Sequence, residues 1–209
     1  MNYLFNEKFK ASKFIILLIF LLYLLEHVAF IIFEDSLLYI NLNASNPTII
    51  SIILPAFLHA NEYHLFRNTC SFLIFTPFIE RKIGSKDTIY LFFISAIGGI
   101  LFLFVYASIF DVSTSARGSS GASMFFMGIT VTNIVNVKLN SSIKAFLLAF
   151  LFLFTYEYLK IIFTVELFSY GDTILVAHLG GFILGSIVYL YIEQNKKHEF
   201  FIPNYINKL

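Results

Sequence analysis

The stretch FIILLIFLLYLLEHVAFIIF, residues 14–33, contains a single formally charged side chain, that of Glu26. A run of about 20 apolar residues has the length that a helix needs to cross a bilayer, and an open strand could not satisfy its backbone groups in lipid. Basic residues precede the run, as they precede the core of a signal peptide, but that core would be shorter and would end at a small-residue cleavage site. Here Glu34 and Asp35 follow instead. The run is therefore predicted to be a retained membrane helix, in which Glu26 is either paired or interfacial.

Five more stretches of the chain have a similar length and apolar character. The sequence of 209 residues is 58% hydrophobic and only 13% charged, which is typical of a protein with several membrane spans rather than of a soluble domain. The prediction is an all-α, polytopic membrane protein with six transmembrane helices. It forms a single domain over residues 1–209, with a short N-terminal segment at 1–13 and a C-terminal tail at 194–209. The five further spans are predicted at 62–80, 88–110, 120–137, 145–164 and 174–193.

The basic residues indicate how the spans are oriented. If the N-terminus lies in the cytoplasm, the inner side receives eleven basic residues and the outer connections receive only Arg117, with Arg67 and Lys160 inside spans. This asymmetry agrees with the positive-inside rule and predicts a multi-pass protein with both termini in the cytoplasm. Segment 36–60 is half apolar but contains two prolines and a polar middle. It is predicted to lie along the outer interface of the bilayer.

The composition also argues against several other classes. A net charge of +1 gives little electrostatic basis for binding nucleic acid. The single cysteine, Cys70, has no partner for an internal disulfide and matches no metal-ligand spacing. We therefore expect no metal, no cofactor and no nucleic-acid partner, make no prediction of an oligomeric state, and expect the lipid bilayer to be the surroundings of the chain.

Polar residues within the spans and at their entrances form three clusters, and the predicted topology puts all three toward the outer half of the membrane. The first consists of His59, His64 and Asn68, of which the last two lie four residues apart on one helix face. The second is GSSGA, residues 118–122, where an outer loop enters the fourth span. The third is AHLGGFILG, residues 177–185, in the last span. Polar groups at this depth are costly and usually face a functional cavity.

Two helix faces with small residues predict a close contact between the fourth and the last span. Small residues allow helix backbones to approach each other. Such an approach would bring Ser120 Oγ to hydrogen-bond distance of the His178 imidazole, which makes a nucleophile and a general base. The faces consist of Ser120, Met124 and Gly128 with Gly121 beside them, and of His178, Gly181 and Gly185.

The same arrangement predicts groups that stabilise developing negative charge. Ser120 begins its helix, so its backbone N–H has no intrahelical partner and is available to an oxyanion. The face that carries His64 and Asn68 would supply side-chain donors to the same place. This would explain why the start of the second span is so polar.

Taken together, the three clusters resemble the rhomboid family of intramembrane serine proteases. The resemblance extends over about residues 59–185, in matching order and spacing, and six spans are the family's minimal form. The residues that carry it are His59, His64 and Asn68; Gly118-Ser119-Ser120-Gly121, which matches the family's GxSG motif; His178-x-x-Gly181-x-x-x-Gly185; and Glu80-Arg81-Lys82-Ile83-Gly84, which matches the family's usual exit from the second span.

The resemblance implies a serine endopeptidase that cleaves single-span membrane proteins near the outer face of the membrane. Its catalytic residues would be Ser120 and His178, without a third acidic member. Ser120 would attack the scissile carbonyl, while His178 would accept its proton and later protonate the leaving amine. The oxyanion would be held by His64, Asn68 and the Ser120 amide, with supporting roles for His59, Gly118, Gly121, Met124, Gly181 and Gly185.

Two positions depart from the family's pattern. Family members often carry Trp-Arg nine residues before the equivalent of His59, where this chain has Ile50-Ser51. They also usually place an aromatic residue four positions after the serine, where this chain has Met124. A thioether can still contact a ring favourably, so a less tightly held histidine is expected. Ser119 is an alternative nucleophile, although the register of the motif favours the second serine.

Other classes of protein fit parts of the pattern. One is a non-catalytic rhomboid-like protein that binds or escorts membrane clients, but such relatives typically lack the serine or the histidine, and this chain has both. A small transporter would have matched, interrupted helices in two repeat halves, which the sequence does not contain. A metal hydrolase is disfavoured because the histidines form no HExxH-type signature.

Overall fold

The computed structural model describes residues 9–33, 48–110, 117–136 and 171–194, and every regular element in these ranges is helical. A single 3-10 turn, Leu54–Ala56, follows the second helix directly. The helices are α1 (Lys10–Phe33), α2 (Ile49–Ile53), α3 (Glu62–Ile83), α4 (Ser85–Phe110), α5 (Ser120–Asn136) and α6 (Gly171–Gln194).

Five of the six predicted spans coincide with helices, and their ends agree within four residues. The predicted span at 145–164 lies outside the described residues, as do residues 1–8 of the N-terminal segment and 195–209 of the C-terminal tail. Within the described ranges, Lys10–Ala29 and Ser85–Phe110 are long and apolar enough to cross a membrane. The helix α5 has 17 residues, which is the lower limit for a span. The all-helical class is therefore confirmed, while the bundle of six spans stays a prediction.

The buried carboxylate of Glu80 joins three helices at one end of the molecule. It accepts hydrogen bonds from the backbone N–H of Ala11 at 2.7 Å and of Ser12 at 3.0 Å, and from the hydroxyls of Ser12 at 2.8 Å and Ser85 at 2.6 Å. The first N–H groups of a helix have no intrahelical partner and favour negative charge. Glu80, near the end of α3, therefore caps α1 and holds the start of α4. Gly84 makes the turn between α3 and α4 with a φ of +85°, which glycine adopts readily.

Aromatic side chains fill the space between α3, α4 and α5. The fully buried ring of Phe72 lies 5.3 Å from the ring of Phe92 and 5.8 Å from that of Phe126, and both pairs are nearly perpendicular. Edge-to-face packing is a favourable geometry for aromatic rings. Phe57, in the loop before α3, places its ring 5.9 Å from that of Phe92. This core fixes α5 relative to α3 and holds the loop before α3 against α4.

The helices α5 and α6 pack with their backbones in close contact. A Cβ atom built on Gly185 would collide with the carbonyl oxygen of Phe125, and one built on Gly181 would lie 2.6 Å from the carbonyl oxygen of Gly121. Gly128 is equally close to the backbone of α6. Only residues without a side chain allow this approach. The predicted contact between the two small-residue faces is confirmed.

A second polar network ties α3, α5 and α6 together at the end of the bundle opposite the start of α5. Lys82 forms an ion pair with Glu193, and its ammonium group lies 4.2 Å from the centroid of the Tyr189 ring. The Tyr189 hydroxyl donates a hydrogen bond of 2.9 Å to Asn133 Oδ1. The network fixes the ends of these three helices that lie farthest from the start of α5.

Candidate active site

The start of α5 and the third turn of α6 bring a serine and a histidine into contact. Ser120 is the first residue of α5, and its Oγ lies 2.8 Å from Nε2 of His178 on α6. The side chain of His178 is only 6% exposed, which restricts its orientation. A hydroxyl within hydrogen-bond distance of a buried imidazole is the arrangement in which a general base activates a nucleophile. The two residues that the sequence selected for this pair are therefore adjacent in the structure.

Gly118 determines the shape of the turn that leads into α5. Its φ is +115°, a conformation that residues with a side chain rarely adopt. A Cβ atom at this position would also lie 2.5 Å from Cε1 of His64. The Gly118 N–H donates a hydrogen bond of 2.7 Å to the carbonyl oxygen of Pro55, in the 3-10 turn. The first glycine of the motif thus brings the turn against both α3 and the segment before it.

Three groups predicted to stabilise an oxyanion lie on the elements around this turn. The imidazole of His64 packs against the Cα of Gly118. Asn68, one turn further along α3, is 1% exposed, and its Nδ2 has no hydrogen-bond partner among the described residues. An unpaired donor at such a buried position is unusual. The backbone N–H of Ser120 is at the start of a helix, where no earlier turn can accept it. Asn61 caps α3, since its side chain accepts a hydrogen bond of 2.9 Å from the backbone N–H of His64.

The side chain of Ser119 contacts a different histidine from the one that Ser120 contacts. Its side chain is fully buried, and its Oγ lies 3.3 Å from Nε2 of His59. The ring of His59 in turn packs edge-to-face on that of His64, with 5.3 Å between the ring centres. Burial of His59, together with the nearby His64, lowers its pKa to about 3, so this imidazole is neutral at physiological pH. The contact between Ser119 and His59 was not predicted, because nothing in the spacing of these two residues indicates that they meet.

The remaining predicted supporting residues lie between α4, α5 and α6. Gly121 approaches Gly99 of α4, where a Cβ atom on either glycine would lie 3.3 Å from the other's Cα. Met124 is half-buried, with its Cβ 3.4 Å from a Cβ atom built on Gly181. Of the two residues that replace the family's usual Trp-Arg, Ile50 lies on α2 and is exposed.

The residue directly before the motif makes a contact that was predicted only in part. Arg117 forms an ion pair with Glu26 of α1, and the two side chains are 10% and 9% exposed. The expectation that a buried Glu26 would be paired is confirmed. Its partner could not be named, because the pairing depends on how α1 packs against a loop that is distant in the sequence.

The fold and this site define an all-helical protein with helices apolar enough to span a membrane. A serine at the start of one helix contacts a histidine on a closely packed second helix. The family model of the Rhomboid domain matches residues 46–195, which is more than half of the chain and includes every predicted site residue. The chain belongs to the rhomboid family. A comparison with curated proteins gave no match.

Proposed function

We propose that this rhomboid is an intramembrane serine endopeptidase that uses Ser120 and His178 as a catalytic dyad. The observation that supports this most directly is the distance of 2.8 Å between Ser120 Oγ and His178 Nε2. A non-catalytic relative would have no need to keep both groups in this contact.

In the first step, Ser120 Oγ attacks the carbonyl carbon of the scissile peptide bond. His178, with its proton on Nδ1, accepts the hydroxyl proton at Nε2, and a tetrahedral intermediate forms. The imidazolium then gives this proton to the leaving amine as the C–N bond breaks, which leaves an acyl-enzyme. In the second step, His178 takes a proton from water, and the hydroxide adds to the ester carbonyl to give a second tetrahedral intermediate. The bond between the carbonyl carbon and Ser120 Oγ then breaks, His178 returns the proton to Oγ, and the carboxylic acid product leaves.

The oxyanion of each intermediate would be stabilised by groups that surround the turn into α5. The Ser120 N–H lies at a helix start, where the helix dipole favours negative charge. Asn68 Nδ2 is a buried donor without a partner among the described residues, and an oxyanion would give it one. His64, which packs against Gly118, is the third candidate donor. Removing one such donor in a serine protease costs on the order of a hundred- to a thousandfold in turnover.

The proposal includes the surroundings of the site. Residues 1–209 would form one membrane domain of six spans with both termini in the cytoplasm, and the dyad would then lie toward the outer face. Its substrates would be single-span membrane proteins, cleaved near that face. These expectations follow from the distribution of basic residues and from the resemblance to the family.

The experiment that tests this proposal compares the wild type with Ser120→Ala and His178→Ala in proteoliposomes, using a panel of single-span substrates. Loss of one member of a dyad should abolish detectable cleavage, since in a soluble serine protease it costs about six orders of magnitude in turnover. Equal cleavage by the wild type and Ser120→Ala would contradict the proposal. Absence of cleavage by the wild type, with equal substrate binding by all three proteins, would favour the non-catalytic, client-binding alternative.

A further inference from the structure

We propose that the ion pair between Arg117 and Glu26 positions the serine turn, residues 117–120, for catalysis. This inference rests on the proposed protease function and adds a pair of positioning residues to it. Glu26 lies outside the residues 46–195 that the family model matches, so membership of the family does not assign it a role.

The serine turn is attached to its surroundings at successive residues. Gly118 donates a hydrogen bond to the carbonyl oxygen of Pro55, and Ser119 Oγ lies 3.3 Å from Nε2 of His59. Both of these contacts hold the turn to the segment before α3. The ion pair of Arg117 attaches the same turn to α1. Ser120 ends this turn three peptide units after Arg117, so a shift of Arg117 is transmitted along the backbone to Ser120 Oγ.

The helix α1 provides a firm support for this attachment. Its buried side chains, Ile15, Ile19 and Tyr23, follow one face of the helix and lead to Glu26. At its start, α1 is capped by the carboxylate of Glu80. A functional group is held most accurately when its supporting residues stand on rigid elements. Glu26 therefore attaches the turn to α1, in addition to the contacts of the turn with the segment before α3.

The exposure of the pair argues that its role is geometric. Both side chains are about a tenth exposed, at 10% and 9%, so each loses most of its hydration. A buried ion pair often adds no stability compared with apolar residues of the same volume. Glu26 Oε2 has no hydrogen-bond partner among the described residues, so this carboxylate depends on Arg117. A costly charge in the apolar stretch 14–33 of α1 is best explained by the direction that it imposes on the turn.

The second ion pair of the described residues provides a matched control. Lys82 and Glu193 likewise form an ion pair between a basic and an acidic side chain, 22% exposed on each side, at the opposite end of the bundle from Ser120. If ion pairs merely stabilise the fold, neutralising either pair should have the same effect on catalysis. If the pair at the serine turn positions the nucleophile, only its loss should change the turnover of folded protein.

The test measures kcat and KM for one single-span substrate in proteoliposomes, together with amide hydrogen exchange of peptides that contain residues 117–120. The variants of the ion pair at the serine turn are Glu26→Gln, Arg117→Gln, and the charge exchange Glu26→Arg with Arg117→Glu. The control variants are Lys82→Gln and Glu193→Gln. Thermal unfolding of every variant identifies those that do not fold. The double variant Glu26→Gln with Arg117→Gln is also measured, because it leaves no unpaired buried charge.

We expect Glu26→Gln and Arg117→Gln each to lose about ten- to a hundredfold in kcat, because a small displacement of reacting groups has costs of this size. KM should stay within about twofold, and exchange at the serine turn should become faster. The charge exchange should recover part of kcat, and the control variants should keep both kcat and the slow exchange. The inference is overturned if Glu26→Gln has the kcat and exchange of the wild type, or if the control variants lose as much kcat. If the wild type cleaves no substrate, the proposed function fails, while the exchange data still decide whether the pair holds the turn.

Discussion

At the scale of single residues, two adjacent serines of one motif contact two different histidines. Ser120 Oγ lies 2.8 Å from His178 Nε2, whereas Ser119 Oγ lies 3.3 Å from His59 Nε2. Because consecutive residues at a helix start point in different directions, the turn can direct one hydroxyl toward α6 and the other toward the segment before α3. We interpret Ser120 as the nucleophile and Ser119 as a residue that holds the loop.

Replacing Ser119 by alanine should lower activity without abolishing it. The change removes the partner of His59, and a neutral hydrogen bond contributes about 1 kcal/mol, so turnover should fall by about fivefold if the whole effect reaches the transition state. Ser123→Ala is the matched control, because this equally buried hydroxyl has no hydrogen-bond partner among the described residues. Steady-state cleavage rates of both variants measure the difference. Equal rates for the two variants would show that the contact with His59 has no role in catalysis.

The burial of His59 predicts how stability depends on pH. Its pKa is lowered from 6.5 to about 3 by burial and by the neighbouring His64. Between these two values the unfolded chain binds a proton that the folded chain does not, so the free energy of unfolding decreases as the pH falls through this window. Above about pH 6.5 this contribution is complete and constant. Thermal unfolding between about pH 7 and pH 4 should show a smaller loss of stability in His59→Gln than in the wild type. If the stability of the two proteins depended on pH in the same way, the buried imidazole of His59 would not be the cause of the loss.

At the scale of elements, the sequence predicted the helices and the contact between α5 and α6 that joins Ser120 and His178. It did not predict the contacts that the ends of helices and the turns make with distant segments. Apolar length identifies a helix locally, and glycines on one face indicate close packing. The start of α1 at Lys10 depends on Glu80, and the turn into α5 depends on Pro55. These partners are far apart in the sequence, and no local periodicity records which of them will meet.

The glycine contact between α5 and α6 can be tested with a single methyl group. Gly185→Ala would place a Cβ atom against the backbone of Phe125, and overpacking of this kind costs about 1–3 kcal/mol. Gly98→Ala is the control, because a Cβ atom there meets nothing within 4 Å. At an open helical position alanine is favoured over glycine by about 1 kcal/mol. The melting temperature and the activity should both fall in Gly185→Ala, and the melting temperature should hold or rise in Gly98→Ala. A Gly185→Ala protein as stable and active as the wild type would argue against backbone contact at this position.

At the scale of the whole molecule, polar groups lie at the two ends of the bundle and aromatic side chains lie between them. The network of Lys82, Tyr189 and Glu193 is at one end, and Ser120 with its surrounding histidines is at the other. The proposed chemistry needs water and polar partners, which the aromatic centre could not provide. A substrate helix of the proposed protease would therefore have to unwind at the end of the bundle that contains Ser120.

We expect the proposed protease to select substrates by how easily their spans unwind. Every backbone carbonyl of a transmembrane helix is already hydrogen-bonded, so Ser120 cannot reach one until the helix opens locally. Single-span substrates with Gly, Pro or polar residues in the outer half should be cleaved faster than the same spans with leucine at those positions, while binding should change little. Rates and dissociation constants for such a matched substrate pair provide the measurement. Equally fast cleavage of a uniform leucine span would exclude unwinding as the selective step.

The most direct test of the central claim, that Ser120 is a nucleophile activated by His178, is labelling with a serine-directed phosphonate followed by mass spectrometry of the modified peptide. The wild type should carry the label on Ser120 and none on Ser119, because only the former hydroxyl contacts the proposed general base. The His178→Ala variant, folded as judged by thermal unfolding, should show no labelling on the same time scale. A label on Ser119, or labelling of Ser120 at the wild-type rate in His178→Ala, would contradict the dyad.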